Sequence, residues 1–311
     1  MEKIPVPYLS GDFVTVYRPS ADVYYGLDTQ NFRYGERYEN WTVNDFSILR
    51  DGETWHLVGI THPTPPDYVD EFTPVKGDYH EAEHMLFHAT AEGTSMASVR
   101  HEGAFTDCEK LLYPQERPDE RPEFHAPHLL KAPNGTYRII CGPREMRLAQ
   151  TEDFKTFRRR TLFVDRETAR DPFLFADDDG RFYLLYAFEN RIDMRETNAD
   201  LTRFSGPRTL QVNPYVNAER KMQAASESPF LFKRKGYYYL MWAIWDGRLG
   251  VYDHRTFVFA ARTLAGLANS APVAMLPAHA GEYYSDESGD WLLSVYHPEN
   301  GVSVAPLAWD E

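Results

Sequence analysis

The sequence predicts an all-β fold, a five-bladed β-propeller with four-stranded antiparallel blades around a central channel, and three observations predict it. A phrase recurs five times, at 45–52, 126–135, 171–180, 227–236 and 280–289, each copy ending on a glycine. Each glycine is followed by an aromatic and an apolar run, beginning at Trp55, Tyr137, Phe182, Tyr238 and Trp291. Strand, glycine turn and aromatic strand make a hairpin, and five hairpins at blade-like spacing make a propeller. The rest of the chain alternates short runs with dense Gly and Pro punctuation, and carries no heptad or long amphipathic helix.

Taken in order, residues 1–40 are rich in Tyr, Pro and Asp and lack clean periodicity. They are read as an outer strand that closes the ring, within a single five-bladed propeller domain of residues 1–311. The first blade begins near Trp41. Its hairpin is followed by a Pro-rich and acidic loop to about Glu83, which makes the first interval between phrase heads the longest: 81 residues, against 45, 56 and 53 later. Loops of this length on a propeller belong to a functional rim. The turn-acid-aromatic stretches 151–157 and 197–204 lie between the inner strands of one blade and the start of the next.

Composition narrows the function classes. The chain has 311 residues, 42% of them hydrophobic, enough for a large core. Aromatics reach 14%, a level that suits both strand-rich cores and sugar-stacking sites. The formal net charge of −14 excludes the basic stripe of a nucleic-acid binder; the short clusters 158–160 and 233–235 read as solvated turns. No stretch is apolar enough to span a membrane, and the N-terminus lacks a signal core. The chain as given therefore reads as cytoplasmic, although a signal already removed would leave the same terminus on a secreted or periplasmic protein. Cys108 and Cys141 form no disulfide framework and have no metal-ligand spacing; Cys141, in an apolar run, reads as a buried free thiol.

Three of the five phrase heads are acids: Asp45, Asp171 and Glu227. Equivalent strand positions converge at a propeller axis, so the repeat gathers these three although they are far apart in sequence. Glycosidic cleavage needs one carboxylic acid to protonate the leaving oxygen and a second carboxylate to activate water or attack the anomeric carbon. A third can orient the sugar and tune the acid's pKa. A single strand-end acid is ordinarily a turn cap; three in register with one repeat are not. Around them, Arg170 is a candidate to hold a carboxylate or a sugar hydroxyl, and Trp41 and Trp245 to stack on sugar faces, with His88 at a strand end also within reach. Trp242, in an apolar strand, reads as core. Asp177-Asp-Asp-Gly180 reads as a solvated hairpin turn, since it lacks the spacing of a calcium loop. His80-Glu-Ala-Glu-His84 meets a zinc-protease pattern formally but lies in a loop, not on a helix. No nucleophile elbow, phosphate loop or dinucleotide fingerprint occurs.

Asn44-Asp45, Arg170-Asp171-Pro172 and Glu227-Ser-Pro229, in this order, resemble the three signatures of the five-bladed propeller glycoside hydrolases, families 43 and 62 on one side and 32 and 68 on the other. The resemblance covers residues 41 to 311, and it implies substrate contacts at Asn44 beside Asp45 and at the second phrase head, where His125 is a candidate to donate to a sugar hydroxyl and Phe124 to stack on the sugar. On the family 43 side it implies an inverting hydrolase with Glu227 as general acid, Asp45 as general base and Asp171 as modulator, acting on arabinofuranosyl or xylosyl groups of oligosaccharides. On the family 32 side it implies a retaining β-fructosidase with Asp45 as nucleophile. Asp45-Phe-Ser, Glu227-Ser and the absence of room for a following β-sandwich depart from family 32, so the family 43 reading leads. A glycan-binding propeller without catalysis is the alternative of a different class. The chemistry requires no cofactor; the resemblance implies a structural calcium ion in the central channel, with His279 as a candidate ligand. The partner is an oligosaccharide, with no nucleic acid and no membrane.

Overall fold

The structure, a computed structural model, describes residues 3–20, 41–63, 85–112, 124–165, 169–213, 226–244, 254–295 and 301–311. Two strands precede the first blade, β1 (Val6–Leu9) and β2 (Val14–Tyr17). Blade 1 comprises β3 (Trp41–Asp51), β4 (Thr54–Pro63), β5 (Leu86–Glu92) and β6 (Thr106–Asp107). Blade 2 comprises β7 (His125–Lys131), β8 (Tyr137–Gly142), β9 (Glu145–Thr151) and β10 (Arg158–Val164). Blade 3 comprises β11 (Arg170–Ala176), β12 (Phe182–Phe188), β13 (Arg191–Thr197) and β14 (Arg208–Val212). Blade 4 comprises β15 (Ser226–Arg234), β16 (Tyr237–Ile244), β17 (Arg255–Ala261) and β18 (Pro272–Leu276). Blade 5 comprises β19 (His279–Asp286), β20 (Gly289–Val295) and β21 (Val302–Asp310).

Among the described residues all strand pairings are antiparallel, and blades 1 to 4 are simple meanders. Blade 5 takes its outer strand from the other end of the chain: β1 pairs with β21 from Val6↔Asp310 to Leu9↔Leu307, and β2 pairs with β21 as well. This seals the ring and leaves fewer free strand edges. The inner strands form a closed circle, with β3 against β7, β7 against β11, β11 against β15, β15 against β19 and β19 against β3.

Packing between blades follows from the period of two along a strand. In β16, Leu240, Trp242 and Ile244 face the seam with blade 3, where they meet Phe173 and Leu185. Tyr239 and Met241, from the same strand, face the seam with blade 5. Each of the other three seams has its own apolar cluster, 1–2, 2–3 and 5–1. Trp242 is fully buried, as its apolar run predicts. Cys141 is buried and both cysteines are free. Among the described residues no helix is long and apolar enough to cross a membrane.

Two turns read as solvated in the sequence are instead pinned between blades. Asp177 is only 6% exposed and accepts from Lys233 Nζ at 2.5 Å and Tyr238 Oη at 2.7 Å, joining the blade 3 hairpin to blade 4. Arg234 and Lys235 pair with Asp290 and Glu311, joining blade 4 to blade 5. Neighbouring hairpins on a ring lie side by side, so their charges find each other across the seam, which a reading of one hairpin at a time does not reveal. The stretches 151–157 and 197–204 connect the third and outer strands of blades 2 and 3.

Candidate active site

The innermost strand of every blade breaks its ladder at the same place. β3 bulges between Asn44 and Phe46, β7 between His125 and His128, β11 between Arg170 and Phe173, β15 between Glu227 and Phe230, and β19 between His279 and Glu282. In blades 2, 3 and 4 the bulge ends in a proline, which has no N–H to give to a ladder and therefore suits an unpaired position. The first bulge residue is left-handed in four blades: Ala126, Asp171, Ser228 and Ala280 have φ of 40°, 55°, 55° and 48°. Such a conformation costs roughly 1–3 kcal/mol in a non-glycine residue and is characteristic of functional sites. Its effect here is geometric: two successive residues of one strand both line the channel instead of alternating sides.

These bulges stack the channel in tiers. One tier holds the last residue paired before each bulge: Asn44, His125, Arg170, Glu227 and His279. The next holds the bulge residues Asp45, Ala126, Asp171, Ser228 and Ala280. Below, where pairing resumes, stand Phe46, His128, Phe173, Phe230 and Glu282.

The tiers correct the repeat as read from the sequence. Counting nine residues back from each glycine aligns Glu227 with Asp171, whereas the ladders align Glu227 with Arg170, and Ser228 with Asp171. The hairpins differ in length. β15 turns into β16 through Lys235-Gly236 alone, both at positive φ as a tight two-residue turn requires, while β11 reaches β12 through residues 177–181. The glycine of blade 4 is thus one residue closer to its bulge. The three acids converge nonetheless, from two adjacent tiers.

Their contacts are specific. The Ser228 hydroxyl donates to Asp45 Oδ1 at 2.6 Å, and the Ser228 backbone N–H donates to Asp171 Oδ2 at 2.9 Å. Arg170 lies between Asp171 (Nε to Oδ2, 3.7 Å) and Glu227 (Nε to Oε2, 3.9 Å), and its fork is held by donation to the Ser226 carbonyl at 2.8 Å. Glu227 Oε1 is 3.3 Å from His279 Nε2 and 3.8 Å from His254 Nε2. Asn44 accepts from the Asp45 N–H at 2.9 Å and so fixes the backbone of that bulge.

Burial sets the electrostatics. Asp45 and Asp171 are 8% and 4% exposed. Burial, then the charges of Asp171 and Glu227, push Asp45 well above the usual carboxylate range. Burial raises Asp171 to about 6, against the opposing pull of Arg170. Burial also pushes Glu227 upward, but the hydrogen bond from His279, the charges of His254 and His279, and Arg170 together hold it well below its ordinary value.

A small cavity of about 30 Å³ lies beneath the acids, lined by Asp45, Asp171, Ser228, His128 and Glu282 among others. That is room for a water molecule or two. Glu282 is a fourth carboxyl of the channel that the repeat pattern did not bring out. Burial, with the nearby Asp45 charge, raises it well above the usual range although it accepts from the Ile48 N–H of blade 1. His128 is held neutral by burial, down to about 4, and packs on Phe173 with ring centroids 4.4 Å apart.

Several candidates lie elsewhere. Trp41 is in the blade 5–1 core, 6% exposed, with the Lys110 ammonium 3.5 Å over its ring. Phe124 is in the blade 1–2 core, 2% exposed, beneath the Arg147 guanidinium. His88 is buried in a stack with His56 and Phe154. Each stands beside a bulge or strand end in sequence, but its side chain is taken up by an inter-blade seam, leaving none of the three as an open platform for sugar. His125 stands in the same tier as Arg170 and is close enough to Asp171 to favour its charged form. Trp245, the 80–84 histidine motif and nearly all of the rim loops 63–83 and 113–124 lie outside the described residues. His254, Ser228, His128 and Glu282 were missed. The last three follow from placing the bulges in register; nothing in the repeat marks His254.

Glu227, His254 and His279 offer ligand atoms within 4.8 Å of one another. Two imidazoles and one carboxylate are a donor set for a borderline transition ion, whereas calcium takes six to eight oxygens. The residues around His279 therefore do not fit the calcium ion that the resemblance implied, and within the protein they already pair with each other.

Comparison with known proteins bears on the family and the fold. Residues 151–291 match the family model "Glycosyl hydrolases family 43", a stretch that contains Asp171, Glu227, His254, His279 and Glu282 but not Asp45. No curated protein sequence matches the chain. A thermostable family-43 glycoside hydrolase aligns at 14% identity over 88% of this chain and 90% of its own, with a TM-score of 0.61. An α-L-arabinofuranosidase from Clostridium thermocellum aligns at 12% identity over 89% and 92%, with a TM-score of 0.59. RS223-β-xylosidase aligns at 11% identity over 86% and 92%, with a TM-score of 0.59. At these identities the likeness is one of fold. Fold, family match and converging carboxyls together define the class: a family 43-like five-bladed β-propeller glycoside hydrolase.

Proposed function

We propose that the protein removes terminal α-L-arabinofuranosyl or β-D-xylosyl groups from oligosaccharides with inversion at the anomeric carbon. Glu227 serves as general acid, Asp45 as general base, and Asp171 orients the sugar and tunes both. The observation that carries this reading is the gathering of three carboxyls from blades 1, 3 and 4 in two adjacent tiers of the channel, two of them aspartates bridged by Ser228. The arabinofuranosidase and xylosidase among the structural neighbours support the sugar class. The retaining fructosidase alternative draws no support from the comparisons.

A leaving-group acid must carry its proton when it meets the glycosidic oxygen. In the free protein His254, His279 and Arg170 favour the Glu227 anion. The two histidine charges vanish once the imidazoles are neutral, and a bound sugar strips water from the carboxyl; both changes raise Glu227 toward the protonated form. His279→Asn removes one of these influences. Since a raised Glu227 stays protonated to higher pH, the alkaline limb of the kcat/KM profile should move up by about half a unit or more. A limb that stays in place would remove His279 from the tuning of Glu227.

The reading is tested by sugar release from nitrophenyl arabinofuranoside, xyloside and galactofuranoside, with sucrose and fructo-oligosaccharides alongside. Proton NMR of the first product identifies its anomer. Arabinose or xylose of inverted configuration is the expected result; retained configuration makes Asp45 a nucleophile, and release of fructose moves the substrate class.

A further inference from the structure

We propose that Ser228 is a positioning residue of the site, whose hydroxyl holds the Asp45 carboxylate ready to accept a proton while its backbone N–H holds Asp171. The inference rests on the proposed function for the meaning of Asp45, and on the bulge geometry for everything else. Ser228 is the blade 4 counterpart of Asp171, so the left-handed bulge that aims Asp171 into the channel also aims Ser228 there. Its hydroxyl has a single proton, and that proton is donated to Asp45 Oδ1 at 2.6 Å. Oδ1 is therefore an acceptor, as the carboxylate of a general base must be.

The need for such a donor is clear from what surrounds Asp45. Asp171 on β11, Glu227 on β15 and Glu282 on β19 are acids, and burial with the first two pushes Asp45 toward its neutral form. Arg170 contacts Asp171 and Glu227, and His128 is held neutral. His279 and the Ser228 hydroxyl are the influences that favour the Asp45 anion. A hydrogen bond to a carboxylate stabilises the charged form, so removing it drives proton uptake at higher pH. Because Glu227 precedes Ser228 in the chain, one dipeptide supplies a carboxyl and fixes the other two.

The test is Ser228→Ala, with Ser228→Gly as a second variant. Alanine is compatible with this backbone, since Ala126 and Ala280 occupy the same bulge position in blades 2 and 5 with φ of 40° and 48°. Glycine removes the hydroxyl without conformational strain. Carboxyl titration of the intact protein by infrared spectroscopy of ¹³C-aspartate-labelled samples, with the Asp45 band assigned by Asp45→Asn, reads the group directly and needs no turnover. Both variants should raise the Asp45 midpoint by at least half a pH unit, and the acidic limb of kcat/KM should rise with it. An Asp45 midpoint unchanged in both variants overturns the role of Ser228. Failure of the catalytic reading has a different signature: full turnover in Asp45→Asn, whatever the titration shows.

Discussion

Replacing Glu227 by Gln is expected to lower the turnover of an unactivated oligosaccharide by roughly 10²–10⁴-fold, the usual worth of a general acid. The amide keeps the shape of the side chain and can still face His279, but it has no proton to give to the leaving oxygen. The loss should depend on the leaving group. A nitrophenolate departs as an anion and needs little protonation, so the variant should retain more activity on nitrophenyl glycosides than on oligosaccharides. This dependence separates chemistry from misfolding, which lowers both equally. Equal losses on the two substrates, or none, would remove Glu227 from the role of acid. A glycan-binding propeller without catalysis predicts retained affinity in the variant and no turnover in either protein.

The second large effect concerns stability and lies in Glu282. Its carboxyl is raised in the folded protein well above its ordinary value of 4.5, chiefly by burial. A group raised on folding contributes stability fully below its unfolded pKa and loses it as pH rises through the folded one. From about pH 4.5 upward the wild-type protein should therefore lose stability relative to Glu282→Gln. The loss is about 1.4 kcal/mol per pH unit until the folded carboxyl ionises. The amide is neutral at every pH and its oxygen can still accept from Ile48. Thermal melts from pH 4 to 9 should show the variant melting higher at neutral and alkaline pH, with the gap closing near pH 4. A gap independent of pH, or a wild-type protein that gains on the variant as pH rises, would show that Glu282 is ionised in the folded channel.

Glu282 and Ser228 also mark where the sequence stops being sufficient. The phrase, the glycine turns and the aromatic runs carried the five blades, because hairpin formation is local and each blade repeats the same local chemistry. Asp45 and Asp171 were legible for the same reason: each occupies the bulge of its own inner strand. Glu227 was found through an alignment that is one residue out of register, because the glycine that anchors the count belongs to a shorter hairpin. Only pairing with β16 showed that Ser228, not Glu227, is the counterpart of Asp171.

The aromatic and histidine candidates fared differently from the acids. A tryptophan at the start of a strand has the same sequence signature whether it faces sugar or a neighbouring blade. For Trp41 the choice was made by Lys110 and the blade 5–1 core, and for Phe124 by Arg147 and the blade 1–2 core. The local pattern by itself thus determined the strands, the turns, the blade count and two of the three acids, since these depend on backbone propensity and a period of two. The tertiary structure alone decided the tiers of the channel, the pairing of Asp45 with Ser228, the fourth carboxyl and the fate of each aromatic. Those depend on which blades become neighbours when the ring closes, and so on contacts between residues up to the length of the chain apart.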